Sequence, residues 1–278
     1  MRVASQYNSA MFIDSHCHLD LITSGQEATE IDVQALLDTA REYQVEAMLC
    51  VSISLERFPA MLQLIEPYPQ IFASVGVHPT QPCELEPEVD QLVALADQAK
   101  VIAIGETGLD YYHCQGDVEW QRERFRRHIA AARQAAKPLI IHTREARQDT
   151  LDILRAEKAQ DAGGVMHCFV EDWATAKAAM DLGFYISFSG IVTFKNATDL
   201  KEIARKVPLE RLLIETDSPY LAPVPKRGKT NQPAYVKHVA EYIARLRGIS
   251  VEEIARISSD NFYSLFASAQ RPGCPQAA

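Results

Sequence analysis

In the segment MFIDSHCHLD, residues 11 to 20, an apolar run ends in two histidines two positions apart, His16 and His18. The same pattern recurs at Glu106 in VIAIGETG, His142 in PLIIHTR, His167 in GVMHCF and Asp217 in RLLIETD. Imidazole nitrogens and carboxylate oxygens are ligands for divalent transition metals, bound at about 2.0–2.2 Å. Six such ligands exceed one tetrahedral site and match two cations that share a bridging carboxylate and a water. Two metals about 3.5–4 Å apart recur in the hydrolysis of phosphate and amide bonds. A single histidine at the end of an apolar run is more often a hydrogen-bonded packing residue than a ligand. Packing does not account for six groups at the ends of successive runs.

These groups can act together only if the elements carrying them converge. Eight runs rich in β-branched and apolar residues punctuate the chain: MFIDSH, EAMLCVSIS, IFASVGVH, VIAIGETG, PLIIHTR, GVMHCF, FYISFSG and RLLIETD. Between them lie segments of helical periodicity, such as DVQALLDTAREYQ, the alanine-rich ATAKAAMDLG closing on Gly183, and WQRERFRRHIAAARQAAKP ended by Pro138. Near-continuous apolar strands alternating with helices predict a parallel sheet covered on both faces. An open doubly wound sheet would gather functional groups at one switch point. Here they terminate most of the eight strands, which predicts an α/β (β/α)8 TIM barrel with the metal site at the C-terminal ends of the strands. His16 and His18 then point to one side of their strand and Cys17 to the other.

Further groups stand near these positions. His78, ending the third strand run, reads equally as a substrate or water contact and as a structural partner. Arg144, two residues past His142, is a phosphate clamp by type, since guanidinium binds two oxygens at once. Asp14 and Glu215 share the parity of the ligands but lie deeper, as partners for ligand histidines or for water. Cys17 and Cys168 read as packing residues. Tyr111, Tyr112 and Phe169 follow strand ends, where stacking on bases and loop packing are both open. The charged loop with Lys226, Arg227 and Lys229 could add phosphate contacts, and RERFRRH reads as a solvated helix face.

The segments DSHCHLD, VGVHP, AIGETGLDYY, PLIIHTREA, GVMHCF, GFYISFSGIVTFKNA, LLIETDSPYLAPVPKRGKTNQP and NFYSLF resemble the TatD family of metal-dependent hydrolases, within the amidohydrolase-like barrels. The likeness runs from about residue 11 to 266, and the GETGLD and ETDSPYL combination is its most specific part. It implies that His16, His18 and Asp217 hold one metal, His142 and His167 the other, and that Glu106 bridges them. Some members lack the H-x-H pair, which this chain keeps. The implied activity is phosphodiester hydrolysis of nucleic acid, foremost a 3′–5′ single-strand deoxyribonuclease, with Asp217 orienting the water and taking its proton. The alternative is an amidohydrolase or esterase acting on a small molecule or an aminoacyl-tRNA. A catalytically idle scaffold would lack ligands, and none of the six is missing. The donor set admits Zn, Mn, Ni, Co, Fe or Mg.

Composition agrees with an ordinary globular enzyme: 278 residues, 47% hydrophobic and 23% charged. The net charge of -9 argues against non-specific coating of duplex DNA, which needs many Lys and Arg contacts. It leaves room for a single-stranded nucleic-acid substrate, because bound cations supply local positive charge. Six cysteines without a C-x-x-C pair read as reduced thiols of a cytoplasmic protein. No signal peptide, membrane span or stable protein partner is indicated, and the chain is expected to act as a monomer. Residues 1–10 and 268–278 are expected to be a disordered extension and tail around a single domain, 11–267.

Overall fold

The computed structural model describes residues 11–22, 32–82, 85–114 and 116–271. Eight strands, β1 (Phe12–Cys17), β2 (Val45–Cys50), β3 (Ile71–Val75), β4 (Val101–Asp110), β5 (Leu139–Arg144), β6 (Gly164–Met166), β7 (Tyr185–Phe188) and β8 (Leu212–Ile214), lie in sequence order in one parallel sheet. Seven helices fill the crossovers: α1 (Val33–Glu42), α2 (Phe58–Ile65), α3 (Val89–Ala96), α4 (Glu119–Ala135), α5 (Arg147–Ala156), α6 (Trp173–Asp181) and α7 (Thr198–Lys206). Two more, α8 (Val236–Arg247) and α9 (Val251–Leu265), complete the chain. Each of the eight predicted runs contains a strand, and the architecture is the (β/α)8 barrel expected.

Local chemistry sets the helix ends. Asp32, Asp172 and Ser250 cap α1, α6 and α9 by accepting from Ala35, Thr175 and Glu253 amides at 2.9, 2.8 and 3.1 Å. Helix α4 stops at Ala136, which takes a left-handed conformation two residues before Pro138. Its Pro138 carbonyl then accepts from Ile104 of β4 at 2.9 Å.

Strand alternation divides the apolar residues into two layers. Ile13, Leu49, Val51, Phe72, Ile102, Ile140, Val165 and Leu213 meet inside the barrel, where Phe262 of α9 and Phe266 just beyond it pack against them. The opposite strand faces join the inward stripes of the surrounding helices in a larger cluster. The ring closes between β8 and β1 at their carboxyl ends. There Asp217 N–H donates to His16 O at 2.9 Å, His18 N–H to Ser218 O at 2.8 Å, and Ser15 Oγ to Ile214 O at 3.0 Å. Closure therefore uses the segments that bear the predicted ligands.

Three expectations differ from what is found. Strand β4 does not end at Glu106 but continues, fully buried, to Asp110. The RERFRRH stretch of α4 is not only a solvated face. Gln121, Arg124, Phe125 and His128 are buried at helical spacing. Arg124 donates to His78 O at 3.0 Å and Gln81 O at 2.8 Å, and its charge is met by Glu86 at 2.6 Å. Part of the expected tail, residues 268–271, is packed: Ala269 is buried and Arg271 pairs with Asp260 over the Tyr263 ring. Residues 1–10 and 272–278 lie outside the described residues. Cys17, Cys50, Cys114 and Cys168 are free thiols, and no described helix is long and apolar enough to cross a membrane.

Candidate metal centre

Glu106 lies at the middle of the barrel mouth, almost fully buried, and its two carboxylate oxygens face different histidines. Oε2 is 3.4 Å from His16 Nε2 and 3.7 Å from His18 Nε2. Oε1 is 2.8 Å from His167 Nε2, 3.2 Å from His142 Nδ1 and 3.4 Å from His78 Nε2. Asp217 completes the first side, with Oδ1 3.7 Å from His16 Nε2 and 3.5 Å from His18 Nε2. All six predicted ligands are therefore brought together: His16, His18 and Asp217 on one side of Glu106, His142 and His167 on the other, where His78 joins them.

The backbone explains the placement. His16 is in β1 and His18 one residue beyond it, with their Nε2 atoms 3.2 Å apart. Cys17 between them is turned away, its thiol directed to Leu49 O at 3.4 Å. The ladder between β4 and β5 shifts register between Ile104 and Thr107, around the residue that must carry Glu106. Gly105 there has φ +150, and a Cβ on it would meet Ile140 Cβ at 2.7 Å, so only glycine fits. Asp217 has φ +57, a left-handed turn that Asp tolerates better than most residues. It follows Thr216, which is tied to Asp14 by bonds of 2.8 and 2.5 Å.

Most of the rings are held from behind by oxygen. His18 Nδ1 bonds Val51 O at 2.9 Å, His142 Nε2 bonds Asp110 Oδ2 at 3.0 Å, and His167 Nδ1 bonds Glu215 Oε1 at 3.2 Å. His78 Nδ1 bonds Thr80 Oγ1 at 2.8 Å. Metal-ligating histidines use such partners to fix ring tautomer and orientation. Buried His16 Nδ1 has no hydrogen-bond partner among the described residues, and His167 Nε2 faces Glu106 Oε1 at 2.8 Å without a well-aligned hydrogen bond. Ring nitrogens of His16, His18, His142 and His167 gathered around one buried carboxylate are the donor chemistry of a cation site. Ligand atoms of His16, His18 and Glu106 lie within 4.8 Å of one another, as do those of His78, Glu106 and His142. A third such group joins His16, His167 and Glu215.

The electrostatics divide the rings. Burial opposes protonation of all of them, yet Glu106 and Glu215 hold the His167 imidazole well above its usual value, Asp110 and Glu106 raise His142, and Asp217 and Glu106 raise His18. At His16 burial prevails and lowers it. Burial opposes ionisation of Glu106, but His167, His78, His142 and His16 hold its carboxyl well below the usual range. Burial likewise opposes Asp217, whose hydrogen bond to His18 and nearby imidazoles hold it low. Burial pushes the His78 imidazole down to about 3.

The remaining predicted residues sort as follows. Glu215 backs a ligand histidine as expected and also accepts from Cys168 N at 2.7 Å. Asp14 touches no ligand imidazole; besides Thr216 it accepts only from the His16 amide, at 3.3 Å. The Thr216 hydroxyl and amide capture it before it can reach a ring. His78 stands among the rings around Glu106, with its Nε2 3.3 Å from His142 Nδ1 and 3.4 Å from Glu106 Oε1. Arg144 is exposed at the mouth, its guanidinium 4.0 Å over the Tyr112 ring. Lys226 lies 4.9 Å over Tyr235, and Arg227 3.9 Å over Phe194. Phe169 is buried and not open to stack on a base, while the half-buried Tyr111 is tied through its hydroxyl to Asp149 at 2.6 Å. Tyr112 is half exposed.

Asp110 was not anticipated. It bridges His142 and His113, bonding His113 Nδ1 at 2.9 Å. Its parity on β4 is that of Glu106, so two-residue alternation carried past Glu106 would have found it. Tyr220 was also missed; it is exposed, with its ring 6.4 Å from that of His18.

Comparison with known proteins agrees with this geometry. The family model described as TatD related DNase matches residues 13–267. The chain is 51% identical over 255 residues to the uncharacterized metal-dependent hydrolase YcfH of Escherichia coli, covering 91% of this chain and 95% of that protein. It is 32% identical over 251 residues to the 3′-5′ ssDNA/RNA exonuclease TatD of Salmonella typhimurium, covering 88% and 96%. The crystal structure of YjjV, a TatD homolog from Escherichia coli, superposes with a TM-score of 0.80 at 29% identity, covering 93% and 98%. With its barrel, its ring of histidines around one carboxylate and a match over nearly its whole length, the chain belongs to the TatD family of metal-dependent hydrolases.

Proposed function

We propose that this protein hydrolyses phosphodiester bonds of nucleic acid with two divalent cations, removing nucleotides from the 3′ end of a single strand. The observation that carries the reading is Glu106, whose Oε2 faces His16 and His18 while its Oε1 faces His167, His142 and His78. One oxygen for each group of rings is what a bridging ligand requires. His16, His18 and Asp217 would hold one cation, and His142, His167 and His78 the other. Bound there, divalent cations supply Lewis acidity to phosphoryl oxygens and to a water.

The chain's own residues do the rest. Asp217 is the site carboxylate with the most access to the mouth, its side chain 14% exposed against 3% for Glu106. Held ionised by the surrounding imidazoles, it orients the attacking water and takes its proton at Oδ. Asp110 and Glu215 keep His142 and His167 in the tautomers that present their other nitrogen to Glu106. Arg144 meets phosphate oxygens at the rim. The centre is recessed in a barrel mouth, which admits a strand end more readily than intact duplex. The relative named as a 3′-5′ ssDNA/RNA exonuclease supports this choice of substrate.

The test is a gel-resolved digest of a 5′-labelled single-stranded oligonucleotide by wild type and Asp217→Asn, stripped of metal and reloaded with Mg, Mn or Zn. The expected result is a metal-dependent ladder shortening from the 3′ end. Its rate should fall about 10²–10⁴-fold in the variant, the usual contribution of a general base. An oligonucleotide left intact under every metal would overturn the nuclease reading and direct attention to ester and amide substrates.

A further inference from the structure

Beside the metal centre, the segments following β5 and β6 enclose an open groove of about 410 Å³, lined by Arg144, Glu145, Arg147, Val170 and Glu171. That lies within the ~300–1,000 Å³ typical of small-ligand sites. The groove begins at Arg144, two residues beyond His142. Its walls differ in chemistry. Arg144 rests on Tyr112 and has no carboxylate within 4.0 Å among the described residues, so its N–H edges are unspent. By contrast, Arg147 is neutralised by Asp172 at 3.1 Å. Val170 presents an apolar surface, 48% exposed. Glu171 keeps only 11% of its side chain exposed, yet its one charged partner is Arg147 at 3.9 Å. It accepts no hydrogen bond from the described residues.

We propose that this groove receives the nucleobase adjoining the scissile phosphodiester, and that Glu171 makes it favour bases with an amino-bearing edge over thymine. The proposal rests on the nuclease reading above. A semi-buried carboxylate without a donor is an acceptor awaiting one, because burying it unpaired is costly. The exocyclic amine of cytosine or adenine, or the paired N–H groups of guanine, supplies that donor. Thymine instead flanks its single N–H with two carbonyl oxygens that the carboxylate repels. Val170 contacts the face of the base, and Arg144, resting over the Tyr112 ring, directs its N–H fork to the phosphate. Glu145 shares the groove but is exposed to water, which satisfies it, so it is not assigned this role.

The experiment compares kcat/KM on 5′-labelled oligonucleotides differing only in three 3′-terminal nucleotides, C, A or T, for wild type, Glu171→Gln and Glu145→Gln with metal loaded. A second readout is fluorescence anisotropy of the same labelled strands on metal-free protein. The expected result is a preference of about tenfold for C and A over T in both readouts. It should shrink to within about twofold in Glu171→Gln, with cleavage of the T-ended strand kept or raised, and persist in Glu145→Gln. Equal turnover of all three strands by wild type would overturn the base subsite while leaving the nuclease reading standing. So would a preference that survives in Glu171→Gln or is lost only in Glu145→Gln. Absence of cleavage of every strand under every metal would overturn the nuclease reading itself.

Discussion

At the scale of residues, a single carboxylate organises the mouth of the barrel, and its neighbours are arranged around its two oxygens. Replacing Glu106 by Gln removes the negative charge that the imidazoles stabilise and leaves an amide nitrogen facing one group of rings. Metal analysis of the purified protein should then find one cation or fewer per chain, against the two proposed for wild type; an unchanged content would refute the bridging role. Asp110 acts one bond further out, through its 3.0 Å contact with His142 Nε2. Its replacement by Asn should weaken metal retention about 10–100-fold, the usual cost of losing a partner behind a ligand histidine. Competition with a graded series of chelators measures this directly. Asp110→Ala and Asp110→Asn behaving as wild type would assign Asp110 to fold stability alone.

At the scale of elements, two features of the β3–β5 region link stability to the site. Gly108 has φ +134, and a Cβ there would lie 2.0 Å from His142 O. Gly108→Ala must therefore push β4 away from the strand that bears His142. We expect a loss of about 3 kcal/mol or more, a drop in Tm of roughly 10 °C, and a variant folding as stably as wild type would contradict the close approach. Helix α4 supports the segment after β3 through His128, which accepts from Val77 N–H at 3.0 Å and donates to Arg124 O at 2.8 Å. Burial pushes its imidazole down to about 4, so the folded chain holds it neutral. The unfolded chain binds a proton near pH 6.5, and stability present above that pH is lost as pH falls towards 4. The expected loss from this group between pH 7 and pH 5 is about 2 kcal/mol. Urea unfolding at the two pH values, for wild type and His128→Gln, should show that excess slope only in wild type.

At the scale of the molecule, the barrel has one end for chemistry and one for stability. The exposed large apolar side chains among the described residues are Leu85, Tyr112, Trp120, Val170, Tyr220 and Val224. All follow the carboxyl ends of strands, with Trp120 in the first turn of α4, so exposed apolar surface gathers on the side of the metal centre. Inside the barrel, Phe262 of α9 and Phe266 just after it join the core. Phe262→Ala should cost about 3–5 kcal/mol while leaving metal content unchanged at a temperature where the variant is folded. Loss of metal at full folding would mean that the two ends are coupled more tightly than this division implies.

Much of this was legible in the order of residues. The alternation of apolar runs and helical stretches determined the barrel, because each strand must bury both faces and each helix one stripe. The imidazoles and carboxylates ending those runs marked the cluster able to hold metal, because strand ends meet at one mouth. The sequence was less informative wherever a partner comes from a distant element. Asp14 has the parity of a ligand neighbour, yet Thr216, 202 residues away, claims it. Arg124 and His128 sit in a run of charges that reads as solvated, but the loop after β3 folds over them. His78 joined the rings around Glu106 only because β3, β4 and β5 are neighbours in the sheet. Residue type and local period specify what an element is and which side it buries; which polar groups then meet is decided by the closure of the barrel, through contacts that no local pattern records.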